Sequence, residues 1–537
     1  MAKNNGKSQA GVRSNGKQQI NKRAVDQPSN TDRVTLFLLM AGLAIIPLLM
    51  RLRIINYISP KIIVDIFNTG TQTDISSYYK FAVTILITFC GLGLLVYKMV
   101  KQQYQLRATA ANPFILLLVA TAVISVLFSD FPGLSVFGIY DRHEGLVAFL
   151  CYFSLLFIAI NTRFPEKITS YLLAALAIPV GLNAILAIGY FAGHDLISTG
   201  ILAHLILPAE YRNFGLAGYL MTTISNPNFV SGLAGAITIF FMVIALNARE
   251  KQLTIATSVL GLLSFALIET SLSSSGTYSF FAVLPFVLGF SIWNQSLRQV
   301  VIRSAVFLAG MALVIMVLSG IHGTGWKVSF GSPTSDFRSQ EFAQGPENKL
   351  KLTPAEAVYG DEVKLPEKGI APLSGRTYIW KHSLELIAKR PLLGYGHDSI
   401  VYTFPQNRAD KIANLSNYVE YIDKPHNFYI ALAYQSGIGA LLAFIGLMAV
   451  FAFTAIRTIA QKRRTGEDAA LLIAILLFAG AYCVQWMVND SIQGSAQIFW
   501  IMLGIGFSLC LFPDSGAGQL AVEENCGENG LKKTAKK

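Results

Sequence analysis

Residues 428–456 read FYIALAYQSGIGALLAFIGLMAVFAFTAI, a long run without a charged side chain. About 20 apolar residues, rising 1.5 Å each, cross the hydrocarbon core of a bilayer, so this stretch predicts a transmembrane helix. Similar runs lie near 34–50, 81–97, 113–128, 144–161, 168–191, 228–246, 253–271, 277–293, 304–320, 468–488 and 495–512. Together they predict about twelve transmembrane helices and an all-α polytopic integral membrane protein. The composition agrees: across 537 residues, 53% are hydrophobic and 14% charged, and the mean hydropathy is +0.49. Soluble domains carry roughly a quarter charged residues. A soluble globule, a disordered chain and a fibre are thereby excluded for most of the sequence.

The net charge of +12 takes its meaning from where the basic residues fall, and by itself gives no reason to expect nucleic acid. With the N-terminus inside, the inner segments hold twenty-four Lys and Arg and the short outer segments six. That asymmetry predicts both termini on the cytoplasmic side. Residues 1–33 form a basic polar tail expected to be disordered, 34–320 hold spans one to nine, and 321–427 are one large extracytoplasmic loop. Residues 428–512 hold the last three spans and 513–537 a cytoplasmic tail. Within the large loop, Tyr378, Ile379, Ser383, Leu384, Leu386 and Ile387 recur at helical spacing between Gly375 and Arg390, ahead of Pro391. They predict an amphipathic helix. The five cysteines show no CxxC spacing or paired framework, so neither disulfides nor a zinc site is expected.

All seven histidines map to outer segments or their boundary. Taken singly, each is more simply a polar loop residue. His426 differs because Lys424-Pro425-His426-Asn427-Phe428 is where the large loop re-enters the bilayer. A partly desolvated imidazole stays neutral near pH 7 and suits a general base; the plainer alternative is a cap on the tenth span. Three outer arginines, Arg142, Arg212 and Arg376, suggest a diphosphate clamp, since the guanidinium fork binds phosphate oxygens bidentately and stays charged. Local pairing competes with that reading, Arg142 with Asp141 or Glu144 and Arg212 with Glu210. Glu269, near the outer end of the seventh span, is expensive in hydrocarbon and so a functional candidate. Asn226-Pro227-Asn228 and the Ser/Gly-rich turn 271–277 carry no signature alone. No Walker loop, Rossmann glycine pattern, HExxH or nucleophile elbow is present.

In order along the chain, several stretches resemble the O-antigen ligase and polymerase superfamily over most of residues 130–445. They are Tyr140-Asp141-Arg142-His143-Glu144-Gly145-Leu146; Ser225-Asn226-Pro227-Asn228-Phe229; Ser374-Gly375-Arg376-Thr377-Tyr378-Ile379-Trp380; Lys389-Arg390-Pro391-Leu392-Leu393-Gly394-Tyr395-Gly396; and His426-Asn427 followed by Gly437. Two departures stand out. Ser274-Ser275-Gly276 replaces the family's Ser-Arg-Gly, and Gly439 lies one position earlier than the usual second glycine.

The resemblance implies a GT-C-like, inverting, metal-independent glycosyltransferase without a cofactor, acting in polysaccharide biosynthesis for the cell envelope. It places the protein in the bacterial cytoplasmic (inner) membrane with an extracytoplasmic site. The implied donor is a glycan on undecaprenyl diphosphate, delivered among membrane lipids to a glycan, lipid or protein acceptor. His426 and Arg376 are the implied catalytic residues, with Arg142 and Arg212 near the diphosphate. A ligase is favoured over a polysaccharide polymerase and a protein O-oligosaccharyltransferase. Outside the family, a lipid-linked sugar transporter remains the alternative; no internal repeat of the transporter kind is evident.

Overall fold

A computed structural model describes residues 28–61, 69–214, 222–224, 226–322, 375–406, 409–415 and 421–511. Each expected span coincides with a helix. They are α1 (Asn30–Ile45), α2 (Tyr78–Lys101), α3 (Asn112–Leu127), α5 (Leu146–Ile160), α6 (Ile168–Phe191), α8 (Pro227–Asn247), α9 (Lys251–Thr270), α10 (Ser274–Asn294), α11 (Leu297–His322), α15 (Phe428–Thr465), α16 (Ala470–Gln485) and α17 (Ala496–Leu511). Short helices connect them: α4 (Pro132–Phe137), α7 (Gly200–Ile206), α12 (Arg376–Lys389), α13 (Ile400–Thr403) and α14 (Ala409–Asn414).

Among the described residues, eight helices, α1 with its 3-10 extension to Leu48, α2, α6, α8, α9, α10, α11 and α15, are long and apolar enough to cross a bilayer. The other four, α3, α5, α16 and α17, are apolar but only 15 or 16 residues long. A span can be short where the backbone continuing from it is buried in protein rather than lipid. That is the situation between α16 and α17, where Trp486, Asn489 and Asp490 are buried.

Local sequence explains the helix starts. Ser29 and Asp32 form a reciprocal capping box at α1, which satisfies two otherwise unpaired donors. Asn226 caps α8 ahead of Pro227, whose missing N–H costs nothing in the first turn. The centre is α8, buried over 94% of its apolar window. It packs closely on α10 because Gly276 sits where any side chain would strike the Ser231 backbone. Small residues at such contacts let helix backbones approach and gain van der Waals energy in the absence of a hydrophobic drive.

The helices are accompanied by one short hairpin. Strands β1 (Arg53–Tyr57) and β2 (Gly70–Asp74) form an antiparallel hairpin, with Arg53 opposite Asp74 and Tyr57 opposite Gly70. It packs through Ile55 and Tyr57 on Ile139, Tyr140, Val401 and Tyr402. Two five-residue strands between spans lack the length for a period-two signal to stand out. The expected loop helix is present as α12, with Tyr378, Ile379, His382, Ser383 and Ile387 on its buried face. The expected basic tail, the first part of the large loop and the C-terminal tail lie almost wholly outside the described residues.

Candidate active site

Helix α15 breaks at Gly437, where φ is +81° and ψ 168°. The break exposes backbone groups that a straight helix would pair internally, and the Pro391–Gly396 turn takes them. Tyr395 N–H donates to Tyr434 O at 2.9 Å, Gly396 N–H to Gln435 O at 3.0 Å, and Ile438 N–H to Pro391 O at 2.8 Å. A Cβ at Gly437 would collide with Leu392 O. Glycine is therefore required both by the left-handed backbone and by the approach of the turn. This joint fixes one side of the large loop to the tenth span.

The re-entry segment is stitched to the turn between α16 and α17. Phe428 N–H donates to Trp486 O at 2.9 Å and Asn489 O at 3.0 Å. Asn427 Nδ2 donates to Met487 O at 2.9 Å, while its Oδ1 accepts from Tyr429 N–H and Ile430 N–H and caps α15. Lys424 Nζ donates to Ser491 O at 3.1 Å. Between these anchors His426 is held at φ +52°, a conformation that costs a residue with a Cβ roughly 1–2 kcal/mol.

This arrangement puts His426 Nδ1 3.0 Å from Asp490 Oδ2. Asp490 is 3% exposed, whereas the imidazole is 40% exposed. A carboxylate on Nδ1 fixes the tautomer that leaves Nε2 as the acceptor. Burial disfavours the imidazolium, but the hydrogen bond and charge of Asp490, with Asp423 behind it, outweigh burial and raise the His426 pKa above the ordinary histidine value. Beside the partial desolvation expected from the sequence, the acids around the ring, Asp490 first among them, act on its proton affinity. Asp490 is opposed by burial, yet His426, Lys424 and Arg142 hold its carboxyl below the usual carboxylate range.

Arg376 comes to the same place. Its helix, α12, is tied to the residue before His426 by Trp380 Nε1, which donates to Pro425 O at 2.8 Å. Trp380 and Arg376 lie one turn apart and share a helix face. Burial lowers the Arg376 pKa while the Asp490 charge raises it, and the Arg376 charge acts on His426 in turn. Among the described residues its guanidinium makes no hydrogen bond and no ion-pair contact. Asp423, Lys424, Asp490, Ser491 and Glu144 line an adjoining cavity of about 20 Å³. That volume admits about one water molecule.

Arg142, expected near a diphosphate or in a local pair with Asp141 or Glu144, is engaged by acids here. Its Nη1 lies 2.6 Å from Asp423 Oδ2, its Nε 3.5 Å from Asp141 Oδ1, and its side chain is 10% exposed. Burial opposes its charge, yet Asp423, Asp398, Asp141 and Asp490 hold its pKa well above the usual value. It also donates to Asp423 O, three residues before His426, and so braces the re-entry segment from below. Arg212 belongs to the 3-10 turn Ala209–Phe214, and its side chain lies outside the described residues.

Three other histidines are packed. His143 stacks on Phe81 with centroids 5.2 Å apart, and His382 faces Glu385 at 2.9 Å. His397 is sealed against Phe149, where burial pushes its pKa down to about 4. Glu269 is buried in the last turn of α9. The expected turn at 271–277 is shorter than expected because α10 already starts at Ser274. Ser275, where the family pattern has arginine, is buried and donates to Asn228 O at 2.9 Å; Asn489 Nδ2 donates to the same oxygen at 3.2 Å. The sequence reading missed Asp490. Its signal was available: Asp490 is the only charged residue between Asp468 and Asp514, and an isolated charge between apolar runs is a functional candidate.

Residues 234–445 match the family model described as O-antigen ligase. The match supports the O-antigen ligase superfamily. No curated protein matches the chain. The O-antigen ligase segment contains Arg376, His426 and the Gly437 joint, and it stops short of Arg142, Arg212 and Asp490. It indicates a membrane enzyme of the O-antigen ligase type, with a lipid-linked glycan and an acceptor as its partners in general terms.

Proposed function

We propose that this protein transfers a glycan from undecaprenyl diphosphate to an acceptor hydroxyl at the outer face of the bacterial cytoplasmic membrane. His426 Nε2 takes the hydroxyl proton as the acceptor oxygen attacks the anomeric carbon. The bond from that carbon to the diphosphate breaks on the opposite side, configuration inverts, and the lipid diphosphate leaves with the electron pair. Asp490 orients the ring and stabilises the imidazolium. Arg376 neutralises charge developing on the leaving group, as preorganised cations do in such reactions. Arg142 is a positioning residue in this scheme, braced against Asp423, and Arg212 is a candidate for further contact with the diphosphate. No metal is assigned a step.

One observation carries the reading: a 40% exposed imidazole anchored through Nδ1 to a buried carboxylate, within electrostatic reach of a guanidinium that forms no hydrogen bond among the described residues. A diphosphate already leaves readily, so orientation and electrostatics suffice for most of the barrier. Ligase, polymerase and protein-transferase versions share this chemistry and differ in the acceptor, and the ligase version follows the family match. The test incubates purified protein with a diphosphate-linked glycan and a panel of acceptors. Release of undecaprenyl diphosphate coupled to a new glycosidic bond supports the proposal, whereas movement of intact donor across a vesicle without bond formation replaces it with transport.

A further inference from the structure

At the end of the bundle away from His426, the last turns of α10 and α15 leave an open cleft of about 350 Å³ lined by Trp293, Ala460, Arg463 and Arg464. The Arg463 guanidinium lies 5.4 Å from the Trp293 ring centroid, and Phe290 braces that ring edge-on at 5.9 Å. Stacking occupies the face of a guanidinium and leaves its in-plane N–H fork for an anion. Both arginines are exposed, and neither makes an ion pair among the described residues. The acids of this helix end are committed elsewhere: Glu467 pairs with Lys462 at 3.3 Å and Asp468 accepts from Ala470 N–H.

The apolar surroundings continue from the cleft. On α15, Phe453, Ile456, Ala460 and Arg463 follow helical spacing along one face, and Phe453 and Ile456 are 68% and 43% exposed. On α10, Phe286, Phe290 and Trp293 form the corresponding stripe, and Phe286 is 59% exposed. Paired cations at the mouth of apolar walls, with an amphipathic aromatic between them, match a phosphate carrying acyl chains better than a soluble anion. Basic pockets between helices near the membrane surface bind phospholipid headgroups in this way.

We propose that this cleft is a binding site for an anionic glycerophospholipid, its phosphate held by Arg463 and Arg464 and its glycerol region laid against Trp293. It joins α10 to α15 at the end opposite His426 and is independent of the transfer chemistry.

The test uses the full-length protein in detergent, titrated with phosphatidylglycerol, phosphatidylcholine or soluble glycerol phosphate and read by native mass spectrometry. Wild type is expected to retain phosphatidylglycerol over phosphatidylcholine, and glycerol phosphate is not expected to displace it. Arg463→Ala/Arg464→Ala weakens retention by about tenfold or more, and Trp293→Ala weakens it less. Lys251→Ala/Arg298→Ala removes two exposed charges from the same end of the bundle and leaves retention unchanged. Arg463→Lys/Arg464→Lys, which keeps the charge and loses the fork, gives an intermediate result and guards against misfolding of the alanine variant. Equal retention of both lipids, or an equal loss in the Lys251/Arg298 control, overturns the site. Displacement by glycerol phosphate overturns the lipid assignment in favour of a soluble phosphate.

Discussion

The two ends of the bundle each contain a buried acid facing a base, and they are finished in opposite ways. At one end Lys98 Nζ lies 2.7 Å from Asp32 Oδ1, with the two side chains 8% and 6% exposed. Lys98 also donates to Asn161 O at 2.9 Å, and Asp32 accepts from Arg163 N–H and from Ser29. That cluster is closed on all sides and ties α1, α2 and α5 together. At the other end, among the described residues, His426 bonds through Nδ1 to Asp490, Asp490 Oδ1 is buried without a partner, and Arg376 forms no hydrogen bond. A saturated pair holds helices. An unsaturated one on a strained, well-anchored backbone is available for chemistry.

Substitution separates the two. His426→Ala is expected to lower transfer by about 10²–10⁴-fold, the range of general-base assistance, while the protein still inserts and melts cooperatively in detergent. Full turnover by that variant breaks the comparison. At the other end Lys98→Met strands Asp32 and should cost about 3–5 kcal/mol of stability. Remaining activity per folded molecule should stay near wild type, as read from a melting curve alongside specific activity.

Asp490→Asn sharpens the contrast through pH. A general base works when unprotonated, so the wild-type rate should rise with pH through a midpoint above the ordinary histidine value. The asparagine variant loses the Asp490 charge and keeps only Asp423 to raise the His426 pKa, so its midpoint moves to lower pH. Its maximal rate falls by about 10–100-fold through loss of ring orientation, an effect smaller than loss of the base itself. An unmoved midpoint would separate Asp490 from the titration. The smallest effect on transfer is expected at the joint: Gly437→Ala strains a position open essentially to glycine by about 1–3 kcal/mol and drives a Cβ against Leu392 O. It should loosen the 391–396 turn, detected as faster hydrogen exchange at Tyr395 and Gly396 with a modest fall in transfer.

The positions of the helices were legible because hydrocarbon imposes a length and an apolarity that a linear pattern records directly. His426 and Arg376 were legible as candidates from their segments. Arg142 shows what a linear reading leaves open, since a guanidinium's surroundings include acids distant in sequence, here Asp423. Asp490 was missed for the same reason, although its isolation between apolar runs marked it. Gly437 could be read as a glycine in a motif; its pairing with Pro391–Gly396 could not, because backbone bonds between remote segments leave no periodicity.

The sequence by itself determined that this chain is a helical membrane protein, where its helices lie, and which polar segments re-enter the bundle. The tertiary structure decided which acid meets which base. Burial in a membrane is a property of each segment's own composition, whereas a pKa, a tautomer or an uncommitted guanidinium is set by neighbours that only folding brings within a few ångströms.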